Sequence, residues 1–173
     1  MDEAAAAGAG NLSSRPRFAV DAMLGRLARW LRVLGYDAWY HAQVPDDDLV
    51  DLAWREDRIL LTRDRHLLRE LRPVRALEIR QDAPLAQLRD VVQTLALAAP
   101  RELFTRCMLD NAPLVVVPDA LAWPQLPEGV RGVASPVWQC PACGRFYWNG
   151  SHVRRMRHAL EQALPGWLDA PPP

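Results

Sequence analysis

The sequence predicts an α/β protein: a three-layer sandwich around a mainly parallel sheet, followed by a small β module. Three observations carry that expectation. Short apolar runs alternate with amphipathic stretches from Phe18 to about Ala98, the pattern that builds parallel strands joined by crossover helices. Two of these runs lead directly into a carboxylate, Asp21 after residues 18–20 and Asp64 just beyond residues 59–61. After Pro100 the texture changes to short β-like runs broken by Pro113, Pro118, Pro124, Pro127 and Pro136, which cannot continue a wound sheet.

Residues 18–20 form the first strand. Leu24, Leu27, Leu31 and Leu34 then recur at three- and four-residue spacing, drawing one stripe along a helix, and Gly35 ends it. Residues 36–40 make a second strand. Asp46, Asp47 and Asp48 precede Leu49, Leu52 and Ala53, which is N-cap chemistry for a helix running to about Glu56. A third strand at 59–61, a helix at 66–71 and a fourth strand at 76–79 follow. Pro84 opens a helix that carries Leu85, Leu88, Val92 and Leu95. In the second half, 114–117 and 145–148 read as strands. A last helix from about Ser151 presents Val153, Met156, Leu160 and Leu164 on one face. Residues 1–16 and 165–173 carry no periodicity and are expected to be a flexible leader and tail. That leaves 17–100 and 101–164 as the two structured parts.

A chain of 173 residues, half of them hydrophobic, can fill a real core. Its 21 acidic and 21 basic residues cancel, so any binding to nucleic acid must come from a local patch rather than a global field. All 21 basic residues are arginine; in an Ala- and Pro-rich chain this reflects a G+C-rich genome and carries little functional weight. Three cysteines are too few for a disulfide framework. With no apolar run near membrane-spanning length and no secretory signal pattern, the expectation is a soluble, cytoplasmic protein.

In an open parallel sheet, functional groups collect beyond the carboxyl ends of the strands. Asp21, Asp64 and Asp46 would converge there. Crowded carboxylates raise one another's pKa unless a cation neutralises them, and an all-oxygen set suits Mg²⁺ or Mn²⁺. Such a site supports phosphodiester hydrolysis by metal-activated water. Taken singly, each aspartate could also be an ordinary helix cap. Arg63 and Arg65, which flank Asp64, could face phosphate or simply be ion-paired.

The segments VDAMLGRLARWLRVLGYD (20–37), Leu61-Thr62-Arg63-Asp64, and Cys140-Pro141-Ala142-Cys143-Gly144 leading to Tyr147-Trp148-Asn149-Gly150-Ser151-His152 together resemble the Mut-seven-type C-terminal RNase family, from about residue 17 to 158. The resemblance implies a PIN-like nuclease fold with a C-terminal zinc ribbon and an RNA substrate. It also implies Asp21, Asp46 and Asp64 as the catalytic metal positions. Asp47 and Asp48 are close rivals of Asp46, and Asp82 is a further acidic candidate. Where some relatives carry another acid, two residues after Asp64, this chain has His66.

Cys140-x-x-Cys143 spacing lets two thiolates reach one tetrahedral zinc ion. The family pattern supplies a second Cys-x-x-Cys pair followed by Asn; here the stretch is Cys107-Met108-Leu109-Asp110-Asn111. Asp110 can ligate zinc through oxygen, and His152 is the alternative fourth ligand. A third possibility is a zinc-free module held by Trp138, Tyr147 and Trp148. Between 145 and 158, Arg145, Arg154, Arg155 and Arg157 occur without any acid beside Phe146, Tyr147 and Trp148, a composition suited to single-stranded RNA. Phe146 and Trp148 are expected in the core and Arg154, Arg155 and Arg157 on RNA. Arg26, Arg29 and Arg32 share a side of the first helix away from the leucines, either as phosphate contacts or as a solvated face. The reading is a Mg/Mn-dependent ribonuclease with structural zinc. The alternative is a catalytically inactive RNA-binding adaptor; a nuclease toxin held by a partner is weaker.

Overall fold

Four short strands, β1 (Phe18–Val20), β2 (Ala38–Tyr40), β3 (Ile59–Thr62) and β4 (Ala76–Glu78), pair in the order β2-β1-β3-β4, all parallel. The computed structural model describes residues 15–132 and 134–169, so most of the expected leader and the last four residues lie outside it. Every residue of β1 and β3 is buried, as a parallel sheet covered on both faces requires. Phe18 and Val20 point to one face, against α1 (Gly25–Val33), α4 (Pro84–Thr94) and α6 (Ser151–Ala163). Ala19 and Leu60 point to the other, against Leu49 and Ala53 of α2 (Asp46–Arg55) and Leu67 of α3 (Arg65–Glu70).

A second, antiparallel sheet contains β5 (Val115–Val117), β6 (Val137–Gln139) and β7 (Phe146–Trp148) in that order. Its core is Ala122, Leu126, Ala134 and Val137, with Phe146 and Trp148 packed partly buried against it. Ala122 closes α5 (Asp119–Ala122). The chain is therefore an α/β fold with a mainly parallel four-stranded sheet and a small antiparallel one. Among the described residues, no helix is long and apolar enough to cross a membrane.

Gly35 sits at φ +79°, and a Cβ there would meet Thr105 Oγ1 at 2.7 Å. Conformation and space both demand glycine at this helix stop. Four expectations need correction. The first helix is preceded by a 3₁₀ turn, Ala22–Leu24. The aspartate run does not cap α2: Pro45 holds the cap position with no side-chain bond, and Asp46, Asp47 and Asp48 fill the first turn, where negative charge suits the helix dipole. Arg32 is 3 % exposed, not on a solvated face with Arg26 and Arg29. The expected tail folds back over residues 165–169, where Trp167 donates from Nε1 to the Leu97 carbonyl at 2.9 Å and Leu168 packs on the main core.

Candidate functional site

Asp21 follows β1 and is 5 % exposed. Although it begins the 3₁₀ turn, its side chain makes no capping bond. It accepts instead from the Thr62 hydroxyl at the end of β3. Thr62 Oγ1 in turn accepts from the Asp64 backbone N–H at 2.9 Å. One hydroxyl thus ties the carboxylate after β1 to the backbone after β3. Sequence reasoning passed over Thr62; the only signal available was a polar residue closing an otherwise apolar strand.

Asp64 does cap α3: its Oδ1 accepts from the His66 and Leu67 amides at 2.7 and 3.2 Å. Asp46 is exposed in the first turn of α2. Loss of surrounding water, then the carboxylates of Asp21, Asp64 and Asp47, push its pKa above the ordinary value, with His66 acting the other way. Asp46, on α2, therefore lies near enough to the strand-end carboxylates of Asp21 and Asp64 to feel their charge. The three do not, among the described residues, close into a cluster of the tightness the cysteines form. Arg63 is ion-paired with Asp82, and Arg65 with Glu78 at 2.8 Å. Asp47 and Asp48 are exposed beside Asp46, and Arg26 and Arg29 are exposed on α1.

The sulfur cluster lies at the other end of the sheet. Cys107, Asp110, Cys140 and Cys143 each offer one ligand atom, all within 4.8 Å of one another. Cys107 Sγ stands 3.9 Å from Cys143 Sγ and 3.5 Å from Asp110 Oδ2, and Cys140 Sγ stands 3.7 Å from that same oxygen. On a tetrahedral zinc ion, sulfurs at about 2.3 Å and an oxygen at about 2.0 Å stand about 3.8 Å (S···S) and about 3.5 Å (S···O) apart. The donor set therefore fits a metal ion such as zinc, with Asp110 and not His152 in the group. The Asp110 carboxylate beside Cys143 pushes that thiol up to about 12, the penalty a bound dication would relieve. Tyr147 lies 3.1 Å from Cys107 Sγ through its hydroxyl.

Arg32 fixes this knuckle to the parallel sheet. Its Nε donates to the Ala38 carbonyl at 2.9 Å, and its Nη1 to the Met108 and Leu109 carbonyls at 3.0 and 2.6 Å. Burial lowers its pKa, while the charges of Cys107 and Asp110 oppose that shift. Asn111, at φ +66°, accepts from the Ala38 N–H at 3.1 Å and donates to Asp37 at 2.7 Å. Burial works against the Asp37 carboxylate, but bonds from Arg58 and Asn111 prevail and hold it at about 2.

Of the expected RNA-facing arginines in α6, Arg154 and Arg155 are exposed. Arg157 also lines a groove, with its guanidinium 5.9 Å from the Phe104 ring centre.

An open parallel sheet with acids past its strand ends, joined at the start of β2 to a cluster of three cysteines and one aspartate that could hold a metal ion, defines an α/β protein with a small appended antiparallel module. The chain belongs to the family described as the Mut7-C RNAse domain, whose family model matches residues 16–160. No curated protein and no solved structure matches it.

Proposed function

We propose that the chain is a metal-dependent ribonuclease of PIN-like fold. Asp21, Asp46 and Asp64 would hold Mg²⁺ or Mn²⁺, and Cys107, Asp110, Cys140 and Cys143 structural zinc in a ribbon that aids RNA binding. The observation that carries this reading is the placement of Asp21 and Asp64 just beyond the carboxyl ends of the adjacent parallel strands β1 and β3, tied to each other through the Thr62 hydroxyl. Membership of a family described as an RNAse domain supports RNA as substrate.

A bound divalent cation would polarise the phosphoryl oxygen and lower the pKa of the attacking water. The chain supplies the placement. Thr62 aims the Asp21 carboxylate, and the cap on α3 fixes Asp64 while leaving its second oxygen for the crevice. The first turn of α2 presents Asp46. Arg63, paired with exposed Asp82, is placed to exchange that partner for an RNA phosphate, and Arg26 and Arg29 add exposed cations on α1. The cysteines form no disulfide among the described residues, which suits the reducing cytoplasm we assign as its compartment.

The test is cleavage of end-labelled single-stranded and structured RNA with Mn²⁺, Mg²⁺ or EDTA, by the native chain and by Asp64→Asn. Asparagine preserves the cap on α3, so loss of activity reports the site rather than the fold. Cleavage that needs metal and vanishes in the variant is expected. RNA binding without cleavage under any metal would overturn the enzyme and leave an RNA-binding adaptor.

A further inference from the structure

A groove of about 800 Å³ runs between the 100–108 loop, the small sheet and the start of α6. That volume accommodates a nucleotide-sized ligand. Trp138 and Tyr147 are cross-strand partners on β6 and β7, and both line the groove. Their neighbours in the ladder, Val137, Phe146 and Trp148, pack into the small core, whereas Trp138 and Tyr147 belong to none of the three apolar clusters. Both rings are partly exposed and line the groove, with the Tyr147 hydroxyl anchored 3.1 Å from Cys107 Sγ.

The charges point the same way. Arg101, Arg145 and Arg157 line the groove, with Glu102 as its acid. Among the described residues, every ion pair involving arginine lies between Arg17 and Asp82. The groove arginines form none, so the groove carries an excess of positive charge over Glu102 in a chain of zero net charge. Aromatic faces with free arginines match a ligand that carries both π-faces and phosphates.

We propose that this groove is a second RNA subsite that binds unpaired nucleotides by stacking on Trp138 and Tyr147, with Arg101, Arg145 and Arg157 on the backbone. This rests on the ribonuclease reading and specifies its substrate as RNA with a single-stranded segment. The groove adjoins the knuckle, which is tied to the start of β2 through Ala38, whereas the aspartates follow strand carboxyl ends. Helix α1, nine residues or about 14 Å long, lies between those ends. At about 3.4 Å per stacked nucleotide, a strand reaching from one to the other spans roughly four or more nucleotides.

The test uses the full, zinc-loaded chain carrying Asp64→Asn, titrated with a labelled oligouridylate, a duplex RNA of equal length and a polyglutamate peptide. Fluorescence anisotropy and tryptophan quenching are the readouts. The single strand should bind most tightly and quench tryptophan. Arg145→Glu with Arg157→Glu should weaken it at least ten-fold and flatten its salt dependence. Trp138→Leu, with its fold checked by circular dichroism, should weaken it at least five-fold. Arg89→Glu, an exposed change on α4, should leave binding unchanged. Equal affinity in the groove variants, equal affinity for duplex, or preference for the peptide would each overturn the proposal. A chain that binds as expected but whose native form never cuts refutes the nuclease reading alone. One that cuts with metal but ignores the groove variants refutes the groove alone.

Discussion

Replacing Arg32 with methionine keeps the aliphatic volume of a side chain that is 3 % exposed and removes its donors. Three backbone carbonyls, those of Ala38, Met108 and Leu109, lose bonds of 2.6 to 3.0 Å. At about 1 kcal/mol each they sum to about 3 kcal/mol, and relief from burying a guanidinium offsets part of that. A net loss of about 2–3 kcal/mol is expected, which for a chain of this size is a Tm drop of roughly 5–10 °C. Urea unfolding followed by tryptophan fluorescence in saturating zinc measures it, with Arg29→Met as the exposed comparison expected within about 0.5 kcal/mol of the parent. Equal losses in the two variants, or an Arg32 effect below about 1 kcal/mol, would refute the assignment of Arg32 as the bond between knuckle and sheet.

Three more outcomes follow from the same geometry. The Asp37 pKa falls from 3.8 unfolded to about 2 folded, so its stabilisation is fully present above pH 3.8 and disappears as pH drops toward 2. That is a loss of about 2 kcal/mol, which Asp37→Asn should abolish in urea titrations across that window. Thr62→Val removes the hydroxyl that aims Asp21; metal-dependent cleavage should drop roughly ten- to a hundred-fold while circular dichroism stays unchanged, and full activity would show the hydroxyl to be dispensable. Asp110→Ala should release zinc and Asp110→Cys should retain it more tightly, read as metal per chain after desalting; retention in the alanine variant together with loss in His152→Ala would reverse the ligand assignment.

The alternation of strands and helices was legible because the two central strands, β1 and β3, are buried on both faces. Gly35 was legible because glycine is the commonest left-handed helix stop, although Asp57, Arg72 and Ala96 adopt positive φ after α2, α3 and α4. Arg32 was not. At three-residue spacing each arginine turns by about 60° around α1, so Arg32 lies about 120° from Arg26, and what covers it comes from residues 108 and 109, invisible to local periodicity. Strand β6 was missed because three residues behind Ser135-Pro136 carry too little pattern to register. The cap on α3 by Asp64 was one of two readings open in the sequence, and it coexists with a place in the crevice. The Cys107-x-x-Asp110 stretch was legible as a ligand pair only through the resemblance to a family pattern with cysteine at that place, whereas the exclusion of His152 required the fold.

The clamp from Arg32 to the Met108 and Leu109 carbonyls also bears on synthesis at the ribosome. The first four strands and their helices are translated before residue 108 appears, so during that interval a guanidinium destined for burial at the end of α1 must stay in water, and Ala38 at the start of β2 lacks the Asn111 side chain that receives its amide. Translation at roughly 5–20 residues per second makes this a wait of seconds. The ladder of the sheet can pair before then, but the start of β2 gains its bonds from Asn111, and Arg32 its cover, only when the knuckle emerges and docks. A fragment ending near residue 100 is expected to be expanded and sticky rather than a free-standing nuclease, which makes the two parts one cooperative unit of folding despite their different architectures.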